Sequence, residues 1–178
     1  MPFRIILALL AGILTAPLQA DEPSLGPVIE GYGPTYPVGD RDVLLDDGFI
    51  YHAVFDLARY GDDPGKLNPR LVSVARYLNM HARNGVPAEN MQLAVVVHGA
   101  AIRNILNNAA YRARFQIDNP NLELVNKLHA AGVRFYVCGQ SLAFGNIAKS
   151  ELADPVEVAL SAMTMLTVLQ SEGYALLP

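Results

Sequence analysis

The order of apolar and polar positions after residue 50 predicts alternating strands and helices. Four short apolar runs have the length and composition of strands, at 51–57, 92–98, 133–138 and 174–177. The run at 92–98 is almost continuously apolar, which is typical of a strand buried on both faces of a parallel sheet. We therefore expect a parallel sheet that contains these four strands.

The segments between the predicted strands have apolar residues at helical spacing. Helices are predicted at 69–84, with Asn68 as the cap before Pro69, at 102–115, at 122–131 and at 156–172. Strands that alternate with helices indicate an α/β fold, with a mainly parallel sheet and helices on both faces.

Two segments precede this pattern. Residues 1–20 contain Arg4, an apolar run at 5–14 and a small residue, Ala20, before the expected cleavage point, which is typical of a secretory signal peptide. The apolar run is shorter than a membrane span, although an uncleaved anchor is the alternative. We therefore expect export to the periplasm.

Residues 21–48 are rich in proline and glycine and predict an extended arm ahead of a single domain at 49–178. The apolar side chains of the arm either dock on the domain or on a neighbouring subunit, or the arm is a flexible linker.

Charge and motifs exclude several classes of function. The chain has 13 basic and 17 acidic residues and no basic run, so nucleic acid and anionic membrane surfaces are not expected partners. It contains no P-loop, no dinucleotide-binding glycine motif and no metal-ligand spacing, and no cofactor or metal is expected. Stable insertion into a membrane is not expected either.

The only cysteine, Cys138, ends the third predicted strand and is followed by Gly139, Gln140 and Ser141. His98 and Gly99 end the strand before it. Ligands of open α/β sheets bind at the carboxyl ends of strands, so a thiol and an imidazole at this edge indicate nucleophilic chemistry. The alternatives are a buried, inert cysteine and a histidine with a structural hydrogen bond.

Two further expectations concern this cysteine and the last helix. No basic residue follows Cys138 before Lys149, so we expect only a modest decrease of the thiol pKa, produced by backbone N–H groups. The predicted helix 156–172 is apolar almost all round, which indicates burial on more than one side, either by the core or by another subunit.

Several of these stretches resemble the DsrE/DsrF-like family of sulfur-oxidation and sulfur-relay proteins, specifically its exported single-domain branch. The matching stretches are 54–56, 94–99, 119–121, 132–133, 137–141, 160–164 and 173–174. The resemblance implies a flavodoxin-like, three-layer α/β/α sandwich that assembles into homo-oligomers, often trimers or hexamers. It also implies that Cys138 accepts sulfane sulfur as a persulfide from a donor protein and passes it to an acceptor protein.

The candidate site follows from these observations. Cys138 and His98 are the candidate catalytic residues, and the candidate binding residues are Gly99, Gly139, Gln140, Ser141, Asn119 and Asn121. The leading hypothesis is a periplasmic sulfur-handling protein in which Cys138 accepts or carries sulfane sulfur. The alternative is a non-catalytic oligomeric module that binds a small ligand or a protein and has a structural cysteine.

Overall fold

A parallel five-stranded sheet forms the centre of the computed structural model, which describes residues 22–46 and 48–177. The strands are β1 (Tyr51–Leu57), β2 (Met91–Val97), β3 (Arg134–Cys138), β4 (Val156–Ala159) and β5 (Ala175–Leu177). Their order is β4-β3-β2-β1-β5, and every neighbouring pair is parallel. Four of these strands correspond to the predicted ones.

Five α-helices connect the strands: α1 (Pro69–Arg83), α2 (Asn108–Phe115), α3 (Leu122–Ala130), α4 (Gly139–Gly145) and α5 (Ala162–Ser171). Three 3-10 segments lie at Ala88–Asn90, Gly99–Ile105 and Lys149–Glu151. Helix α1 begins as predicted, because the side chain of Asn68 accepts a hydrogen bond of 2.9 Å from the Arg70 N–H and Pro69 occupies the first turn.

The two faces of the sheet are covered unequally. One face bears Phe55, Val95 and Val137 and belongs to a core that also contains buried residues of α1, α2, α3 and α4. The opposite face bears Val54, Val96 and Cys138 and packs against α5. Helices therefore lie on both faces, and the predicted α/β fold with a parallel sheet is confirmed.

Two predicted helices were wrong in extent. The segment 102–115 is interrupted because Asn107 caps a new helix, accepting a hydrogen bond from the Ala110 N–H at 2.9 Å. The segment 156–172 is not one helix: Val156–Ala159 is the edge strand β4, paired with β3. Helix α5 begins only after Ser161, whose hydroxyl accepts a hydrogen bond from the Thr164 N–H at 3.0 Å.

The described part of the proline- and glycine-rich arm lies on the chain's own domain. The buried amide of Asn79 on α1 accepts hydrogen bonds from the Val28 and Ile29 N–H groups. Gly33 contacts the α1 backbone so closely that a Cβ there would lie 2.4 Å from the Arg76 nitrogen. Of the alternatives for the arm, the structure shows docking on the domain.

The predicted signal peptide, residues 1–20, lies outside the described residues. Among the helices of the described part, none has both the length and the apolar character that a membrane crossing requires.

Candidate functional site

Three polar side chains lie at the carboxyl ends of β1, β2 and β3. The register pairs Val97 with Val137, so His98 and Cys138 follow at the same level on neighbouring strands. Since side chains alternate along a strand, His98 follows Val96, and Asp56 follows Val54, on the face that also bears Cys138. The predicted proximity of the two strand ends is therefore confirmed, with Asp56 as an additional member.

Four hydrogen-bond donors act on the pKa of the Cys138 thiol. Burial raises the pKa of the thiol, but hydrogen bonds from the Ser141 hydroxyl and from the N–H groups of Ser141, Ala162 and Gln140 outweigh it and lower the pKa. Donors of this kind stabilise a thiolate more than a neutral thiol. The chain thus provides an anion-stabilising environment around its only cysteine.

Gly139 allows the donor from α5 to reach the sulfur. A Cβ on this residue would lie 2.9 Å from the Ala159 carbonyl oxygen and 3.4 Å from that of Leu160. The end of β4 is thereby packed against the residue that follows Cys138, and the chain continues from there into Ser161 and Ala162. Any larger residue at position 139 would push β4 and the start of α5 away from the thiol.

Ser141 connects the two strand ends. Its hydroxyl oxygen accepts a hydrogen bond of 3.0 Å from the Gly99 N–H, and the same hydroxyl lowers the pKa of the Cys138 thiol. Gly99 has φ of +54° and follows His98, so this contact depends on a backbone conformation that glycine adopts without strain. The bond from Gly99 fixes the position of the hydroxyl oxygen beside the strand end that carries Cys138.

The imidazole of His98 is paired with a carboxylate. Nε2 of His98 lies 2.7 Å from Oδ1 of Asp56, and both side chains are about one-third exposed. None of the hydrogen bonds among residues 22–46 and 48–177 joins His98 to Cys138, and His98 is not among the groups that shift the thiol pKa. Asp56 was not predicted as a site residue, although a carboxylate near the carboxyl end of the first predicted strand indicates a candidate site residue.

The structure places Asn119 and Asn121 away from the sulfur. Both are buried, and the amide of Asn119 donates to the carbonyls of Asn104 and Leu106 at 2.9 and 2.7 Å. The Asn121 side chain accepts a hydrogen bond of 2.7 Å from the Asn68 N–H. These two residues hold the loop before α3 against the start of α1, and the structure does not bring them to Cys138.

Two arginines that are distant in sequence share a pocket with the residues that follow Cys138. A pocket of about 1100 Å³ is lined by Gln140 and Ser141 and also by Arg103 and Arg114. Cys138 itself does not line this pocket, and neither arginine is among the groups that shift the pKa of the thiol. Within the described ranges, no group of three or more His, Cys, Asp and Glu side chains is arranged to hold a metal ion.

Comparisons with known proteins agree with the fold. The model of the DsrE/DsrF-like family matches residues 52–178. A protein of unknown function, MTH1491 from Methanobacterium thermoautotrophicum, has a similar structure, with a TM-score of 0.54 and 21% sequence identity. The similarity covers 71% of this chain and 97% of that one, and at this identity it concerns the fold alone. No curated protein matches the chain.

Proposed function

The chain belongs to the DsrE/DsrF-like family, and on that premise we propose that it carries sulfane sulfur as a persulfide on Cys138. In this step the Cys138 thiolate attacks the terminal sulfur of a donor persulfide. A bond forms between Sγ and that sulfur, the sulfur–sulfur bond of the donor breaks, and the donor leaves as a thiolate. The proton of the donor persulfide remains on the new persulfide of Cys138, so atoms and charge balance.

The observation that carries this proposal is the set of donors around the sulfur. A purely structural cysteine in an apolar core has a raised pKa, because burial disfavours the thiolate. Here the donors lower the pKa despite that burial. The same N–H groups and the Ser141 hydroxyl are suited to a terminal persulfide anion, which has the same charge as the thiolate.

A second candidate function is supported by the burial of the thiol. Cys138 is only 6% exposed and packs with Val54, Val96 and Leu169. In that case the protein is a binding module and the cysteine contributes to packing alone. The two functions predict different reactivity in the folded state.

The pH dependence of alkylation separates the two functions. We expect the folded protein to react with a small thiol reagent with an apparent pKa below that of an ordinary cysteine, so that the reactive fraction persists to lower pH. Stopped-flow alkylation from pH 5 to 10 measures this, with the denatured protein as the reference. Reaction only after denaturation would exclude the carrier function.

Replacing Ser141 by Ala is expected to raise the thiol pKa, because one donor to the thiolate is lost. The alkylation rate at neutral pH then falls by roughly fivefold and recovers at high pH, since only the thiolate fraction changes. Ser73→Ala is the matched control, because the Ser73 hydroxyl donates to the Pro69 carbonyl on α1. An unchanged pH profile in Ser141→Ala would show that the hydroxyl does not stabilise the thiolate.

We also propose that the protein is a homo-oligomer, a trimer or hexamer, that uses the α5 side of the sheet. Exposed apolar residues lie around the start of α5, and Leu160 and Met163 are 71% and 78% exposed. Light scattering is expected to give a mass of about three or more protomers. Met163→Glu should lower that mass, whereas Met80→Glu on α1 should not, and a monomeric wild-type protein at micromolar concentration contradicts the proposal.

The proposed place of action is the periplasm, after removal of residues 1–20. The support is the sequence pattern of Arg4, the apolar run and Ala20. N-terminal sequencing of the protein from the envelope fraction of its host should begin at or near Asp21. Protein in the cytoplasm with Met1 intact would contradict export.

A further inference from the structure

The pocket beside the sulfur site has no role in the chemistry described above. It lies between the 3-10 segment that follows β2 and helix α4, and its volume of about 1100 Å³ is sufficient for a small peptide. Gln140 and Ser141 contribute to its wall; they follow Cys138 in the chain by two and three residues, and both lower the pKa of its thiol. The pocket and the sulfur site therefore share two residues.

The pocket has an unneutralised positive charge. Arg114 is held by Glu151, with 2.8 Å between the guanidinium and the carboxylate. Arg103 is exposed, and none of the ion pairs within the described ranges includes it. Its guanidinium lies over the Tyr60 ring, 5.5 Å from the centroid. A free guanidinium at the wall of a pocket is suited to bidentate binding of a carboxylate.

The rest of the wall is largely apolar. Ile102, Phe115, Phe144 and Ile147 line the pocket, and Phe144 is 96% exposed. These side chains are suited to apolar contact with the carbon skeleton of an organic molecule, and not to binding an inorganic ion. The pocket thus combines one site for an anionic group with surfaces for an organic molecule.

We propose that this pocket binds a low-molecular-weight organic persulfide with a carboxylate group, which donates its sulfane sulfur to Cys138. Arg103 binds the carboxylate, the apolar wall contacts the skeleton, and the persulfide end lies toward Ser141. This inference rests on the carrier function proposed above and identifies the chemical class of the donor. The transfer is the balanced exchange already described, with the organic thiolate as the leaving group.

Two forms of one donor test the proposal. Glutathione persulfide has two carboxylates, and its diester has the same skeleton without them. We expect wild-type protein to gain sulfur about tenfold faster from the acid than from the diester, measured by intact mass over time. Arg103→Gln should lose this preference, whereas Arg112→Gln, which removes a charge that is paired with Asp118 outside the pocket, should keep it.

A binding measurement gives a readout independent of transfer. Cys138→Ser protein is titrated with S-methylglutathione, and adding Arg103→Gln should weaken binding about tenfold. Equal loading of wild-type protein from acid and diester, or unchanged binding in the Arg103 variant, would overturn the pocket proposal.

Loading with inorganic polysulfide shows whether the pocket proposal alone is wrong or the carrier function is wrong as well. It has no organic group, so we expect it to load Cys138 equally well in wild type and Arg103→Gln. If polysulfide loads the protein but the acid has no advantage over the diester, only the pocket proposal is wrong. If no donor loads the folded protein, the carrier function is wrong and the donor assignment fails with it.

Discussion

Cys138→Ser is expected to abolish sulfur loading completely while leaving the fold intact. The chain has no other cysteine, so no second thiol is available to take over the transfer. Serine has nearly the same volume and can still accept hydrogen bonds from the Gln140, Ser141 and Ala162 N–H groups that surround position 138. Intact mass after incubation with a sulfane-sulfur donor, together with circular dichroism, measures both parts of the expectation.

One result for the Cys138→Ser variant would contradict this prediction. Added sulfur that persists in Cys138→Ser would show that it is bound elsewhere, and would exclude Cys138 as the carrier. Cys138→Ala is the companion variant, because it also removes the sulfur but cannot accept hydrogen bonds from the surrounding donors.

Asn79→Ala is expected to destabilise the protein by about 3 kcal/mol, because it removes the amide that holds the arm. Asn79 is completely buried, and its amide donates to the Tyr32 and Gly33 carbonyls at 2.8 and 3.2 Å. It also accepts from the Val28 and Ile29 N–H groups at 3.0 and 2.8 Å. Without it, several buried polar groups lack partners. Denaturant unfolding measures the loss of free energy.

Asn126→Ala is the matched control for this change. Asn126 is exposed on α3, so the same substitution there affects only helix propensity and should be neutral or slightly stabilising. Limited proteolysis should also cut the arm faster in Asn79→Ala than in the control. Equal stability and equal proteolysis in the two variants would contradict the role of Asn79.

The sequence predicted the elements whose local signals agree with their tertiary environment. The run at 51–57 has the bounds of β1, and Asn68 with Pro69 marked the start of α1 correctly. These signals are local, because capping and apolar patterning act over a few residues.

The errors arose where the deciding interactions are not local. Residues 154–155, an acidic residue before a proline, are typical of a helix start, but the pairing of Val156–Ala159 with β3 determines the conformation there. The actual start of α5 has its own signal, Ser161 three residues before Thr164, and the apolar run on both sides obscured it. A strand of four residues is too short for its period to be recognised.

Only part of the site was predicted, because some of its contacts are also between residues that are distant in sequence. The general rules for parallel sheets place the ends of the strands before His98 and Cys138 at one edge, and the structure shows these strands as neighbours. Arg103 and Arg114 were not predicted to line a pocket with Gln140 and Ser141, because the two arginines belong to segments far earlier in the chain. The pairing of His98 with Asp56 likewise requires the register of β1 and β2, which the sequence does not specify.

The most direct test of the central claim is to load the native protein and locate the sulfur. Wild-type protein is incubated with inorganic polysulfide at neutral pH without denaturant, alkylated to trap persulfides, digested and analysed by mass spectrometry. The account predicts that the peptide with Cys138 contains an additional sulfur atom between Sγ and the alkyl group. An unmodified Cys138 in the native protein, with sulfur added only after unfolding, would contradict it.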